Sequence, residues 1–94
     1  MEFEFDPAKD EANRFKHGLS LSFGKRVFAD PNHIVLTSHR LADGEERSKA
    51  LGMVDGRLHI AVFVWRGDVV RLISVRRSNS GEQRDYDRHT RRSQ

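Results

Sequence analysis

The chain has 94 residues, 36% hydrophobic and 33% charged, which fits one small domain with an economical core over residues 1–94. It holds no cysteine, so a disulfide framework, a Cys-ligated metal centre and thiol catalysis are excluded; the acidic start Met1–Asp6 is no signal peptide, and no apolar run is long enough to span a membrane, so a cytoplasmic protein is expected. The net charge of +3 is unevenly spread: residues 1–12 carry one Lys against five acids, residues 13–65 eight bases against five acids, and residues 66–94 eight Arg against four acids.

Phe3 and Phe5 alternate with Glu2, Glu4 and Asp6, the period of a short strand. Asp6-Pro7 reads as an N-cap with proline at the first helical position. Gly18 after Lys16-His17 suits a left-handed C-cap, so a helix is predicted over about 7–17. Ala8, Ala12 and Phe15 form its narrow apolar stripe. Ser22 is the predicted cap of a shorter second helix that turns Phe23, Val27 and Phe28 to the core and ends before Asp30-Pro31. Ile34-Val35-Leu36 is a short β run, and residues 39–45 read as a polar loop.

Residues 46–77 carry the clearest pattern. Asp55-Gly56 and Gly67-Asp68 are two-residue turns, which imply an antiparallel meander of roughly 46–54, 57–66 and 69–77. Two-residue turns set the register. One face then holds Arg47–Val64–Arg71, Lys49–Val62–Ile73, Leu51–Ile60–Val75 and Met53–Leu58–Arg77, an aliphatic surface expected to pack on the helices. The other holds Glu46–Trp65–Val70, Ser48–Phe63–Leu72, Ala50–Ala61–Ser74 and Gly52–His59–Arg76. Its corner at Gly52, His59, Ser74 and Arg76 is expected to admit a phosphate, and a bulge in the third strand would swap that strand's faces. Asn79 with Glu82 three residues later opens a last helix. Tyr86 is its one large apolar residue, so the helix is expected to be loosely held or completed by a partner, and residues 89–94 to fray.

No metal motif is present: the five His (17, 33, 39, 59, 89) have no i, i+4 pair, and no cofactor motif occurs. Asp43, Glu45 and Glu46 read as a solvated loop face. What remains are cations and acid–base candidates: Lys16, His17, Arg47, His59, Arg71, Arg76, Arg77 and Tyr86. RNA cleavage without metal needs a base for the 2′-OH, cations for the phosphate and an acid for the leaving oxygen. Each residue also has a structural alternative. His17 can be a helix-end residue, His59 a satisfied strand residue, Arg71 an ion-pair partner and Tyr86 the anchor of the last helix, while Arg76 and Arg77 point to opposite faces.

The segments Phe5-Asp6-Pro7-Ala8-Lys9, Asn13-x-x-Lys16-His17-Gly18-x-Ser20 and Val27-Phe28-Ala29-Asp30 resemble the BrnT family. Those proteins are toxins of the BrnT–BrnA type II toxin–antitoxin pair. Asp43-Gly44-Glu45-Glu46-Arg47, Leu51-Gly52, Arg71-x-Ile73-Ser74-x-Arg76-Arg77 and Glu82-x-x-x-Tyr86 extend the resemblance over about residues 2–88. It implies an α+β, RelE-like fold, with two N-terminal helices on one face of a mainly antiparallel sheet of four to five strands and a C-terminal helix. It further implies ribonuclease activity that inhibits translation, and a DNA-binding BrnA-like antitoxin in a hetero-oligomer with the toxin. Lys16, His17, Arg47, Arg71, Ser74 and Arg76 match the family's motifs. Two departures stand out: Phe23 is followed by Gly24-Lys25-Arg26 where acidic residues are frequent, and Phe5 replaces a frequent Trp or Tyr.

The expectation is therefore a metal-independent endoribonuclease toxin. Its catalytic candidates are Lys16, His17, Arg47, Arg71, Arg76 and Tyr86, and its RNA-binding candidates His59, Ser74 and Arg77. The antitoxin is expected to cover residues 79–94 and the basic corner. The alternative is a non-catalytic basic module that binds nucleic acid or another protein.

Overall fold

A computed structural model describes residues 1–38 and 46–92; the loop expected at 39–45 and the last two residues of the tail lie outside them. The elements are β1 (Glu2–Glu4), α1 (Pro7–His17), a single 3-10 turn (Leu21–Phe23), α2 (Gly24–Phe28), β2 (Ile34–Ser38), β3 (Arg47–Val54), β4 (Arg57–Arg66), β5 (Val69–Arg77) and α3 (Ser80–Arg92). They build a mixed α+β domain whose five strands lie in the order β1-β5-β4-β3-β2. β1 joins β5 in parallel, and the other three pairings are antiparallel. Among the described residues no helix is long and apolar enough to cross a membrane.

The local signals act as their chemistry requires. The Asp6 carboxylate accepts the Ala8 N–H at 2.8 Å, and Gly18 closes α1 at φ 72° with its N–H on the Arg14 carbonyl. Asp55 and Gly56 both have positive φ, the backbone that matches the twist of a tight hairpin. Between them the turns place Ser48 opposite Phe63, Ala50 opposite Ala61 and Gly52 opposite His59, as the two-residue loop demands.

The register of β5 departs from that expectation halfway along. Leu72 faces Phe63, but Ser74 faces Val62, so Ile73 has no partner on β4. This bulge turns the second half of β5 over. Val75 now joins Ala61, and Arg76 joins Ile60. The expected corner of Gly52, His59, Ser74 and Arg76 is thereby split between two faces. Its other half is closed as well: a Cβ on Gly52 would lie 2.2 Å from the Val27 carbonyl oxygen, and His59 is 5% exposed, its ring against Phe23.

Both faces of the sheet are covered. Ala50, Ala61, Phe63, Val70, Leu72 and Val75 share one core with Leu21 and Val27. Gly24 serves this packing, since a Cβ there would meet Leu72 at 2.9 Å; the glycine that lowers helix propensity allows close approach to the sheet. Ser22 caps nothing: it lies within the 3-10 turn, and its hydroxyl is hydrogen-bonded to that of Ser20. The aliphatic face packs on α3, with Leu51, Leu58 and Ile60 around Tyr86. The last helix is thus packed on the chain itself rather than left for a partner, and it extends to Arg92.

α1 is fastened by polar contacts. Its expected apolar stripe points to solvent, with Phe15 95% exposed, and the residue it buries is Asn13. β1 pairs with β5 only as far as Arg71, so the bulged half of β5 needs other partners on that edge. Asn13 supplies them: its amide donates to the carbonyls of Leu19 (2.8 Å) and Val75 (2.9 Å), and its Oδ1 accepts the Val75 N–H at 3.1 Å. Replacing Asn13 by Ala leaves two buried backbone groups of Val75 unsatisfied on that side. The expected loss is about 2 kcal/mol, read as a lower urea midpoint with an unchanged slope.

Candidate functional site

The bulge at Ile73 gathers the site. By turning β5 over it brings Ser74 and Arg76 to the face that carries Lys49 and Val62. A groove of about 450 Å³ opens there, lined by Lys16, Arg47, Ser48, Lys49, Val62, Ile73, Ser74 and Arg76. β3, β5 and the last turn of α1 therefore contribute four cations to one concavity, with Val62 of β4 among its apolar lining. A second, shallower lobe of about 270 Å³ is lined by Lys9, Ala12, Asn13, Lys16, His17, Ile73 and Ser74. Lys16, Ile73 and Ser74 line both lobes, so the two concavities adjoin.

A single carboxylate organises the cations. Glu82 is 3% exposed. Its two oxygens take a forked pair of bonds from Arg76, both at 2.8 Å, and Lys49 donates to it at 2.9 Å. The same side chain accepts the Asn79 N–H at 3.0 Å, while the Glu82 N–H donates to the Asn79 side chain at 2.8 Å. This reciprocal pair is a capping box at the start of α3. Burial pushes the Glu82 carboxyl up, but the bonds from Arg76, Asn79 and Lys49 outweigh it and pull it down to about 2. Glu82 is thus ionised at neutral pH and occupied, a poor proton acceptor. Arg76, in return, is held above its ordinary value by the bond to Glu82.

His17 stands at the end of α1 where the second lobe opens. Partial burial and the nearby charges of Lys16 and Arg76 lower its pKa below 6.5, so its imidazole is neutral at pH 7. A neutral imidazole beside fixed cations can accept a proton.

Four of the nine expected residues line the main lobe (Lys16, Arg47, Ser74 and Arg76), and His17 lines the second. The remaining four lie elsewhere. Arg71 is paired with Glu4 across the β1–β5 edge. The Tyr86 hydroxyl donates to Asp30 at 2.6 Å, and burial together with that carboxylate raises the phenol to about 12. Asp30 also accepts the Met53 N–H at 2.7 Å, so Tyr86 ties α3 to the turn after α2. His59 is kept neutral by burial, although its bond to the Arg57 carbonyl favours the charged form. Arg77 is exposed and registers with His59.

Lys49 and Glu82 were not singled out from the sequence as site residues. Lys49 reads as one polar member of an alternating strand and Glu82 as a helix cap. The usable signal for Glu82 was its place three residues after Asn79 in a capping box and six after Arg76. Among the described residues no group of three His, Asp or Glu comes together in a metal-binding cluster.

No curated protein matches the chain. The family model described as ribonuclease toxin, BrnT, of type II toxin–antitoxin system matches residues 5–82, a span that includes β3 to β5, α1 and Glu82, and hence the whole groove. The chain belongs to the BrnT family of ribonuclease toxins, whose type II systems pair each toxin with an antitoxin.

Proposed function

We propose that this BrnT-family chain is a metal-independent endoribonuclease with a RelE-like fold, acting on cytoplasmic RNA to inhibit translation. The observation that carries this reading is the groove itself. Lys16, Arg47, Lys49 and Arg76 surround Ser74, and a neutral His17 stands at the edge. Such a donor set suits a phosphodiester and disfavours a divalent cation, because the carboxylate closest to the groove is already neutralised by Arg76 and Lys49.

In this mechanism the scissile phosphate sits among Arg47, Lys49 and Arg76. Their charges stabilise the extra negative charge that builds on phosphorus oxygens in the transition state. His17 takes the proton of the 2′-OH, whose oxygen forms a new bond to phosphorus as the bond to the 5′ oxygen breaks. The Lys16 ammonium gives its proton to that leaving oxygen. The products are a 2′,3′-cyclic phosphate and a free 5′-OH. Arg71, Tyr86, His59 and Arg77 have structural duties in this scheme. Glu82 is a positioning residue, because it holds Arg76 and Lys49 at the rim before substrate arrives.

The partner in this reading is a BrnA-like, DNA-binding antitoxin, and an acidic antitoxin segment laid over the groove inhibits by occlusion. The expected docking on residues 79–94 loses its original support, since the inner side of α3 is already buried on the sheet.

Two outcomes test the reading. A defined RNA is expected to be cut by the purified chain in excess EDTA, with Arg76→Ala slower by about a hundredfold or more. Binding without cleavage identifies a non-catalytic module, and loss of cleavage in EDTA removes metal independence. The pH profile gives the second. As the base, His17 must be neutral, so kcat/KM rises with pH below 6.5 and levels off by neutrality. His17→Ala is expected to abolish that acidic limb and lower the plateau.

A further inference from the structure

The second lobe of the groove has no part in the chemistry above beyond presenting His17 and sharing Lys16 with the first. Its outer wall is α1, where Lys9, Ala12 and Lys16 follow one another at i, i+3 and i+7. Those spacings place all three on one side of the helix, with the two ammonium groups' Cα atoms about 10 Å apart along the axis. The small Ala12 between them leaves the wall open. The floor is Ile73, Ser74 and the buried Asn13, the same bulged stretch of β5 that floors the main lobe.

We infer that this lobe is a second phosphate subsite, in which Lys9 with Lys16 holds the phosphate adjacent to the scissile one. This rests on the nuclease reading and narrows its substrate to single-stranded RNA with at least two consecutive phosphates.

Three features point to it. The lobes share Lys16, Ile73 and Ser74, so a strand can pass from one to the other without leaving the surface. Each lobe has its own cations: Arg47, Lys49 and Arg76 in the first, Lys9 in the second, with Lys16 at the junction. Lys9 has no ion pair within α1, whereas its neighbour Arg14 is paired with Asp10 at 3.2 Å. The main lobe, at about 450 Å³, has room for a nucleotide rather than a duplex. The aromatic side chain of α1 takes no part, since Phe15 projects two residues, about 200° of helix, from the buried Asn13.

Binding of uncleavable 2′-methoxy oligonucleotides separates this subsite from catalysis. A dinucleotide with one phosphate and a trinucleotide with two are titrated by NMR into wild type, Lys9→Ala and Lys9→Arg. For wild type the second phosphate is expected to tighten binding three- to tenfold. It is also expected to steepen the dependence of log K on log salt by about 0.7. In Lys9→Ala both gains fall to less than twofold and near zero, and Lys9→Arg restores them. No gain in wild type, or a gain that persists in Lys9→Ala, overturns the subsite while EDTA-resistant cleavage would still uphold the nuclease. A short polyglutamate peptide that shows the same Lys9-dependent gain overturns it too, because counter-charge alone would then suffice. Wild type that neither binds these oligomers nor cuts RNA brings down both.

Discussion

Everything that makes this sheet a site follows from one residue of register. With Ile73 left out of the ladder, Ser74 and Arg76 share a face with Lys49. With regular pairing they would face Ala61 and His59 under the N-terminal helices. The bulge is sustainable because this half of β5 lies beyond the reach of β1 and is paired instead by the Asn13 amide. One polar side chain thus satisfies an interrupted strand and sets α1 against it. The end of α1, with Lys16 and His17, arrives at the groove through that contact.

A concavity holding Lys16, Arg47, Lys49 and Arg76 repels itself unless a counter-charge is near. Glu82 provides it from below, with oxygens at 2.8–2.9 Å from both Arg76 and Lys49. Being buried, it acts in a medium where charge pairs are strong, and its pKa near 2 records how much the cations favour the ionised form. The same carboxylate caps α3, so the first turn of the helix, once formed, places it under the groove. Folding and preorganisation of the groove's cations are coupled through one side chain. The cost of assembling like charges is met during folding rather than when substrate binds.

Legibility in the sequence followed the range of the forces involved. Caps and turns are local, and Asp6, Gly18, Asp55-Gly56 and Asn79 with Glu82 act where their chemistry placed them. The meander and its first register followed from turn length alone. The bulge did not, because no turn residue marks Ile73 and its stabilisation comes from Asn13, sixty residues away. That one slip inverted the assignment of Ser74 and Arg76. The apolar stripe of α1 misled for a related reason: the helix is anchored by a hydrogen-bonding side chain, to which hydrophobic periodicity is blind. α3 has one large apolar residue, Tyr86, and its hold on the fold is completed by polar bonds that hydrophobic periodicity does not count, from Tyr86 to Asp30 and from Lys49 and Arg76 to Glu82. The family motif found Lys16, His17, Arg47, Ser74 and Arg76 together, but it also contains Arg71 and Tyr86, which the fold uses for its own ends.

Two cationic surfaces on this molecule are candidates for the proposed RNA contact. The outer side of α3 presents Arg84, Arg88 and Arg91 around a hollow of about 320 Å³ that also holds Asp87, with Asp85 paired to Arg88. The groove is concave and braced by a buried carboxylate. Titrating a 2′-methoxy RNA hexamer into the isotope-labelled protein distinguishes them residue by residue. Shifts centred on Lys16, His17, Lys49, Ser74 and Arg76 are expected, with α3 beyond Tyr86 nearly silent. Shifts confined to Arg84, Arg88 and Arg91, with the groove unperturbed, would contradict the assignment of the groove as the RNA site.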